Sequence, residues 1–191
     1  MIFNLPHLKV KHKILSNLEQ TPCDAGKLFY FRLFIILEDF IELYTDGAAS
    51  GNPGPGGFGL VLKYKNHRKE LYGGFKRTTN NRMELLAVIV GLESVTNNGL
   101  KVRVYSDSKY VVDAINLKWI VGWRKTGFKN KANVDLWQRF LRVYDPTKHA
   151  FFWVKGHASN VENNRCDQLA VFASKLPNVP VDEGYEAIKR G

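Results

Sequence analysis

The sequence predicts an α/β domain, a mixed β-sheet flanked by helices, that begins shortly after residue 37. Three observations carry this. The stretches Phe58–Tyr64 and Lys69–Phe75 are β-prone and joined by a short polar turn, which reads as a hairpin. Strand-like and helix-like periodicities alternate from there toward the C-terminus. Clusters of glycine, proline and asparagine punctuate the transitions.

The elements follow in order. Ile41–Thr45 is a short, partly alternating strand that Asp46-Gly47 closes, and Ala48–Gly57 is a glycine and proline turn. After the hairpin, Met83–Val95 carries Leu85, Leu86, Ile89, Val90 and Leu92 at helical spacing. Asn81, with Glu84 three residues on, resembles a capping box. Val102–Tyr105 is a strand, Ser108–Ile115 a short helix and Val134–Val143 a longer one. Phe151–Val154 is the last strand. Cys166, Leu169, Ala170 and Ala173 give the final helix its buried stripe. The domain is expected to span residues 38–182, with residues 183–191 a C-terminal tail.

With 191 residues the chain is long enough to bury one full core. A net charge of +10 and a pI near 9.6 point to a polyanionic partner, nucleic acid before membrane. Cys23 and Cys166 are too few for a disulfide framework, which fits a reducing compartment and a cytoplasmic protein; a monomer is expected. No apolar run reaches the length of a membrane span; Leu28 to Leu37 is short and interrupted by Arg32. The same Arg32, and the lack of a small-residue cleavage site, argue against a secretory signal. Residues 1–37 stand apart as an N-terminal extension. Three readings of it stay open: an appended helix, an accessory nucleic-acid contact, or a translated upstream stretch.

Acids mark the element boundaries. Asp46 and Asp107 follow two strands and become neighbours if those strands pair in parallel. Glu84 opens the helix between them, and Asp167 near the start of the last helix can lean over the same edge. Taken singly, each has an ordinary explanation: a turn, a helix cap, a capping-box partner, a solvated helix face. Taken together, four converging carboxylates in a basic protein repel one another unless a cation binds. Hard oxygen ligands suit Mg²⁺, with Mn²⁺ as the alternative. A Walker-type nucleotide loop is absent.

Five ordered strings resemble type 1 ribonuclease H. They are Tyr44-Thr45-Asp46-Gly47-Ala48 with Asn52-Pro53-Gly54-Pro55-Gly56-Gly57; Thr78-Thr79-Asn80-Asn81-Arg82-Met83-Glu84-Leu85; Tyr105-Ser106-Asp107-Ser108-Lys109-Tyr110-Val111; Asn133-Val134-Asp135-Leu136-Trp137; and Val154-Lys155-Gly156-His157-Ala158 leading to Asn164-Arg165-Cys166-Asp167. The resemblance implies the ribonuclease H-like fold, with a five-stranded sheet. It also implies an endonuclease that hydrolyses the RNA strand of RNA–DNA hybrids with two divalent ions, leaving 5′-phosphate and 3′-hydroxyl ends. The family's metal-binding tetrad falls on Asp46, Glu84, Asp107 and Asp167, and its mobile-loop histidine on His157, a proton carrier or an aid to product departure. Its RNA-strand contacts fall on Asn52, Asn80 and Asn81. Its DNA-phosphate pocket falls on Arg77, Thr79 and Asn133, and contacts of that kind position a duplex without reading sequence.

Residues 118–131 resemble the family's basic protrusion, a few residues shorter. Lys118, Arg124, Lys125, Lys129 and Lys131 occur there without an acid, interleaved with Trp119, Trp123 and Phe128. That mixture suits a sugar–phosphate backbone, with Lys125 and Lys129 on phosphates. The four-residue spacing of Trp119 and Trp123 fits one packing stripe of a helix equally well. The rivals are an integrase, resolvase or exonuclease of the same fold, a retroelement domain, and a hybrid-binding module without activity. The glycine loop, the Thr-Asn-Asn segment and the His157 loop speak against the first, the lack of an accompanying polymerase against the second, and the intact tetrad against the last.

Overall fold

The computed structural model describes residues 39–96, 99–156 and 159–188. The compact unit begins at Phe40; the N-terminal extension, residues 1–37, lies outside the described residues. Five strands, β1 (Phe40–Ala49), β2 (Gly54–Tyr64), β3 (His67–Thr78), β4 (Lys101–Ser106) and β5 (His149–Trp153), form one mixed sheet in the order β3-β2-β1-β4-β5. β1 to β3 form an antiparallel meander, and β4 and β5 continue the sheet in parallel with β1. Six helices accompany them among the described residues: α1 (Asn80–Glu93), α2 (Lys109–Asn116), α3 (Trp119–Lys125), α4 (Val134–Val143), α5 (Val161–Ser174) and α6 (Glu183–Ile188).

Strand alternation divides the packing into two layers. Leu43, Leu60, Val102 and Val104 face α1 and α4 and join Trp137 and Phe140 in the main core. Tyr44 and Val61 face the other way, onto Cys166 and Leu169 of α5. α1 is buried on almost every side, from Met83 through Leu92, because the sheet covers one flank and α4 another. That burial explains why its apolar residues overrun a single stripe. α5 is pinned to the hairpin by Arg165, which donates from Nε and Nη2 to both Glu70 oxygens at 2.9 Å, and by Lys63 and Arg68 on Glu162. These pairs are half-exposed and fix orientation more than they stabilise.

Several boundaries differ from the sequence expectation. β1 does not end at Asp46. Its pairing with β4 stops at Thr45↔Ser106, but its pairing with β2 continues to Ala49↔Gly56. The glycine and proline segment is therefore mostly strand, and only residues 50–53 form the turn. No capping box opens α1: Thr79 is the N-cap and makes no side-chain cap hydrogen bond, while Asn81 sits inside the helix. Ser108, not Asp107, caps α2 by accepting from the Val111 N–H. β5 starts two residues earlier than expected, at His149.

Residues 183–188 of the expected tail form a helix, α6. Arg82, 1 % exposed, donates from Nε and Nη2 to Asp182 at 2.8 Å each, and from Nη1 and Nη2 to Asp135 at 2.9 and 2.7 Å. Thr78 donates to the same Asp182 carboxylate at 2.7 Å. Burying a guanidinium is costly, and two bidentate carboxylates offset that cost. This knot fastens α6 to the start of α1 and to the first turn of α4.

Candidate active site

The site grows from the point where β1 and β4 part. Their parallel ladder ends at Thr45↔Ser106, so Asp46 and Asp107 stand one residue beyond it, on the sheet face marked by the stacked rings of Tyr44 and Tyr105. Asp46 is 8 % exposed, and its Oδ1 accepts from the Gly47 N–H at 2.7 Å. Gly47 lies against α1: a Cβ on it would come within 2.2 Å of the Glu84 nitrogen. Only glycine lets the strand pass this close, and the passage sets Glu84 beside Asp46. Glu84 is held by Asn80, whose Nδ2 donates to Oε1 at 2.8 Å, and by the Ser108 hydroxyl, which donates to Oε2. Asp167 arrives on α5. A Cβ on Gly59, the register partner of Asp46, would lie 2.3 Å from the Cys166 carbonyl oxygen, so the α5 backbone just before Asp167 rests on the strand beside Asp46.

The electrostatics record this crowding. Asp46 is pushed up to about 8, by burial first and then by the charge of Asp107, with Asp167 and Glu84 adding; the Gly47 N–H works the other way. Glu84 is pushed up to about 7, by burial first and by Asp107, against the hydrogen bonds from Ser108 and Asn80. Buried, mutually repelling carboxylates of this kind favour a cation. Among the described residues, no three such side chains are gathered tightly enough to hold an ion by themselves. Glu84 is tied to Asn80 and Ser108. The donor set nonetheless fits Mg²⁺, which takes hard oxygens and fills the rest of its octahedron with water and phosphate.

The loop expected to carry His157 starts at this cluster. His157 itself lies outside the described residues. Its neighbour Gly156 is packed against Asp107, where a Cβ would lie 2.5 Å from Oδ2.

Four of the expected substrate residues, Asn52, Thr79, Asn81 and Asn133, line one groove. Asn52 and Asn80 meet, the Asn80 N–H donating to Asn52 Oδ1 at 3.3 Å. Asn52, Thr79, Asn81, Lys131, Asn133 and Tyr185 line a cavity of about 610 Å³. Asn133 adopts a left-handed φ of 58° as the N-cap of α4 and donates to the Tyr110 hydroxyl at 3.1 Å. Arg77, at the end of β3, stands over the Tyr185 ring at 5.7 Å, with Glu186 3.9 Å from its guanidinium.

The two tryptophans of the basic segment lie against each other, 6.3 Å between ring centroids, but differ in burial. Trp123 packs edge-on against Trp137 at 5.4 Å with Lys131 over its ring, while Trp119 is 45 % exposed. Lys125 and Lys129 are exposed.

Sequence reasoning missed Ser108 as the partner of Glu84, Tyr185 as a wall of the groove, and Asn163. Asn163 precedes Asp167 by four residues, one turn of helix, and that spacing was the available signal.

The ribonuclease H family model matches residues 38–175. The chain is 56 % identical over 147 residues to Ribonuclease H of Desulforamulus reducens, covering 74 % of this chain and 92 % of that protein. It is 54 % identical over 151 residues to Ribonuclease H of Rippkaea orientalis, covering 76 % and 92 % respectively. Among solved structures it is similar to LC9-RNase H1, a type 1 RNase H with the type 2 active-site motif, at TM-score 0.64 and 29 % identity over 80 % of this chain and 82 % of that one. It is also similar to LC11-RNase H1 in complex with an RNA/DNA hybrid, at TM-score 0.52 and 26 % identity over 70 % and 95 %.

Proposed function

The chain belongs to the ribonuclease H family, enzymes that hydrolyse the RNA strand of RNA–DNA hybrids, and from that premise we propose that Asp46, Glu84, Asp107 and Asp167 form its ion-dependent catalytic centre. The observation that carries this is geometric: Asp46 and Asp107 stand side by side where β1 and β4 part, with the Gly47 contact bringing in Glu84 and the Gly59 contact bringing in the α5 backbone beside Asp167.

Asp46 and Asp107 would hold divalent ions, Mg²⁺ or Mn²⁺, with Glu84 and Asp167 completing the protein ligands. When bound, a pair of such ions supplies an activated water and charge neutralisation at the departing 3′ oxygen. The residues of the chain do the rest. Asn80 and Ser108 fix the Glu84 carboxylate, and Gly47 fixes its distance from Asp46. Asn52, Asn80 and Asn81 face the RNA strand, where short amides read 2′-hydroxyls. Thr79 and Asn133, which line the groove, and Arg77, beside its Tyr185 wall, hold a phosphate of the DNA strand. Lys125 and Lys129, with the exposed ring of Trp119, grip the backbone farther along. His157 carries a proton between the site and solvent. Hydrolysis breaks the P–O3′ bond: the water oxygen stays on phosphorus as the 5′-phosphate of the downstream fragment, and the departing O3′ takes a proton to become the 3′-hydroxyl of the upstream one. The enzyme works as a monomer in the cytoplasm in this reading; among the described residues no helix is long and apolar enough to cross a membrane.

A hybrid labelled on each strand in turn, incubated with Mg²⁺, tests the reading. RNA fragments with 5′-phosphate ends and an intact DNA strand are expected; cleavage of the DNA strand would overturn it.

A further inference from the structure

Asn163 sits in the first turn of α5, 1 % exposed. Its backbone N–H donates to the cap residue Asn160 at 3.0 Å, so its position is set before its side chain does anything. Its Nδ2 donates to Asp107 Oδ2 at 3.2 Å. A carboxylate only accepts, so the amide must turn its nitrogen to Asp107 and its oxygen elsewhere. That oxygen, Oδ1, is buried and has no hydrogen-bond partner. A buried acceptor without a donor is costly, and an apolar side chain would fill the same space without that cost. The amide therefore has a use that helix packing does not supply. Asp107 Oδ2 is hemmed in on another side by Gly156, where a Cβ would lie 2.5 Å away. With Oδ2 engaged and enclosed, the plane of the carboxylate is fixed, and the direction of Oδ1 with it.

We propose that Asn163 is a positioning residue for the ion site: its amide sets the orientation in which Asp107 meets the ion, and its free carbonyl oxygen accepts from a water in the ion's hydration shell. This rests on the reading of the acidic cluster as an ion site. It gives α5 two tasks one turn apart, a ligand at Asp167 and the orientation of a second ligand at Asn163. Groups that orient metal ligands in this way contribute about 10- to 100-fold to metal affinity or activity.

The test measures Mg²⁺ binding to the hybrid-free protein by calorimetry, with thermal unfolding of the ion-free protein alongside. Asn163→Leu keeps the branched outline of the amide and removes the orphaned acceptor together with the donor to Asp107; its larger methyl groups can lower the ion-free Tm by themselves, which is why Tm is measured alongside ion binding. Its Mg²⁺ affinity should fall about 10- to 100-fold. At a fixed limiting Mg²⁺ concentration its kcat should fall, recover as Mg²⁺ is raised, and leave KM for the hybrid unchanged. Should Asn163→Leu not fold, Asn163→Ala is measured in the same way. Wild-type Mg²⁺ affinity in a folded variant, with only Tm lowered, would show a packing role and overturn the proposal. Failure of the wild type itself to bind Mg²⁺ would remove the ion site, and this inference with it.

Discussion

Gly47 and Glu84 are in backbone-to-backbone contact: the space where a Gly47 side chain would begin is occupied by the Glu84 nitrogen, 2.2 Å from the ideal Cβ. The strand that carries Asp46 and the helix that carries Glu84 are thus spaced by the absence of one methyl group. Gly47→Ala must push α1 away from β1. Overpacking of this kind costs about 1–3 kcal/mol, and a shift of about 1 Å at a catalytic group costs about 10²-fold in rate. A drop in both Tm and kcat is expected. Full activity in Gly47→Ala would mean that the spacing is not needed.

Asp46 at about 8 and Glu84 at about 7 keep protons in the folded, ion-free protein that the unfolded chain gives up near pH 4. Stability falls with pH wherever the folded state binds more protons, so the ion-free protein should lose stability as pH rises between roughly 4 and 8. Other carboxylates act oppositely in acid. Asp182, despite burial, is held below its usual range by Arg82 and Thr78, and contributes stability lost as pH falls. The informative quantity is therefore the difference between wild type and Asp46→Asn in thermal unfolding without ions. The variant should gain on the wild type as pH rises through that window, and Mg²⁺ should erase the gain. A difference that is flat with pH would contradict the electrostatic picture.

Lys125→Ala combined with Lys129→Ala should raise KM and leave kcat nearly unchanged. Each lost phosphate contact should reduce the log–log salt slope of hybrid binding by about 0.9. An unchanged slope would take these lysines out of the interface.

The four carboxylates could be proposed from the sequence because each lies in a local string whose residues are consecutive. What was not legible depends on partners far apart in the chain. Asp46 looked like a strand end because β1 exchanges a two-sided neighbourhood for a one-sided one at Thr45, and nothing local marks the place where β4 stops pairing. The knot of Arg82 with Asp135 and Asp182 joins residues 53 and 100 positions apart. α6 is six residues long, too short for apolar periodicity, and is fastened by Asp182 just before its first residue. Asn163 falls between these cases, since its helical spacing to Asp167 was visible but its hydrogen bond to Asp107 was not.

The most direct test of the acidic cluster is the rate of hybrid cleavage by Asp46→Asn at saturating hybrid and Mg²⁺, beside wild type and His157→Ala. Asp46→Asn keeps the shape and removes one charged ligand, so several kcal/mol of transition-state stabilisation, about 10³-fold or more, should be lost. Hybrid binding should persist or tighten, because less negative charge faces the phosphates. His157→Ala removes a proton carrier on a loop open to solvent, and its loss should be about 10²-fold or less. A dead Asp46→Asn beside a merely slowed His157→Ala is the predicted result. Substantial cleavage by Asp46→Asn would contradict the assignment of the cluster as the catalytic centre.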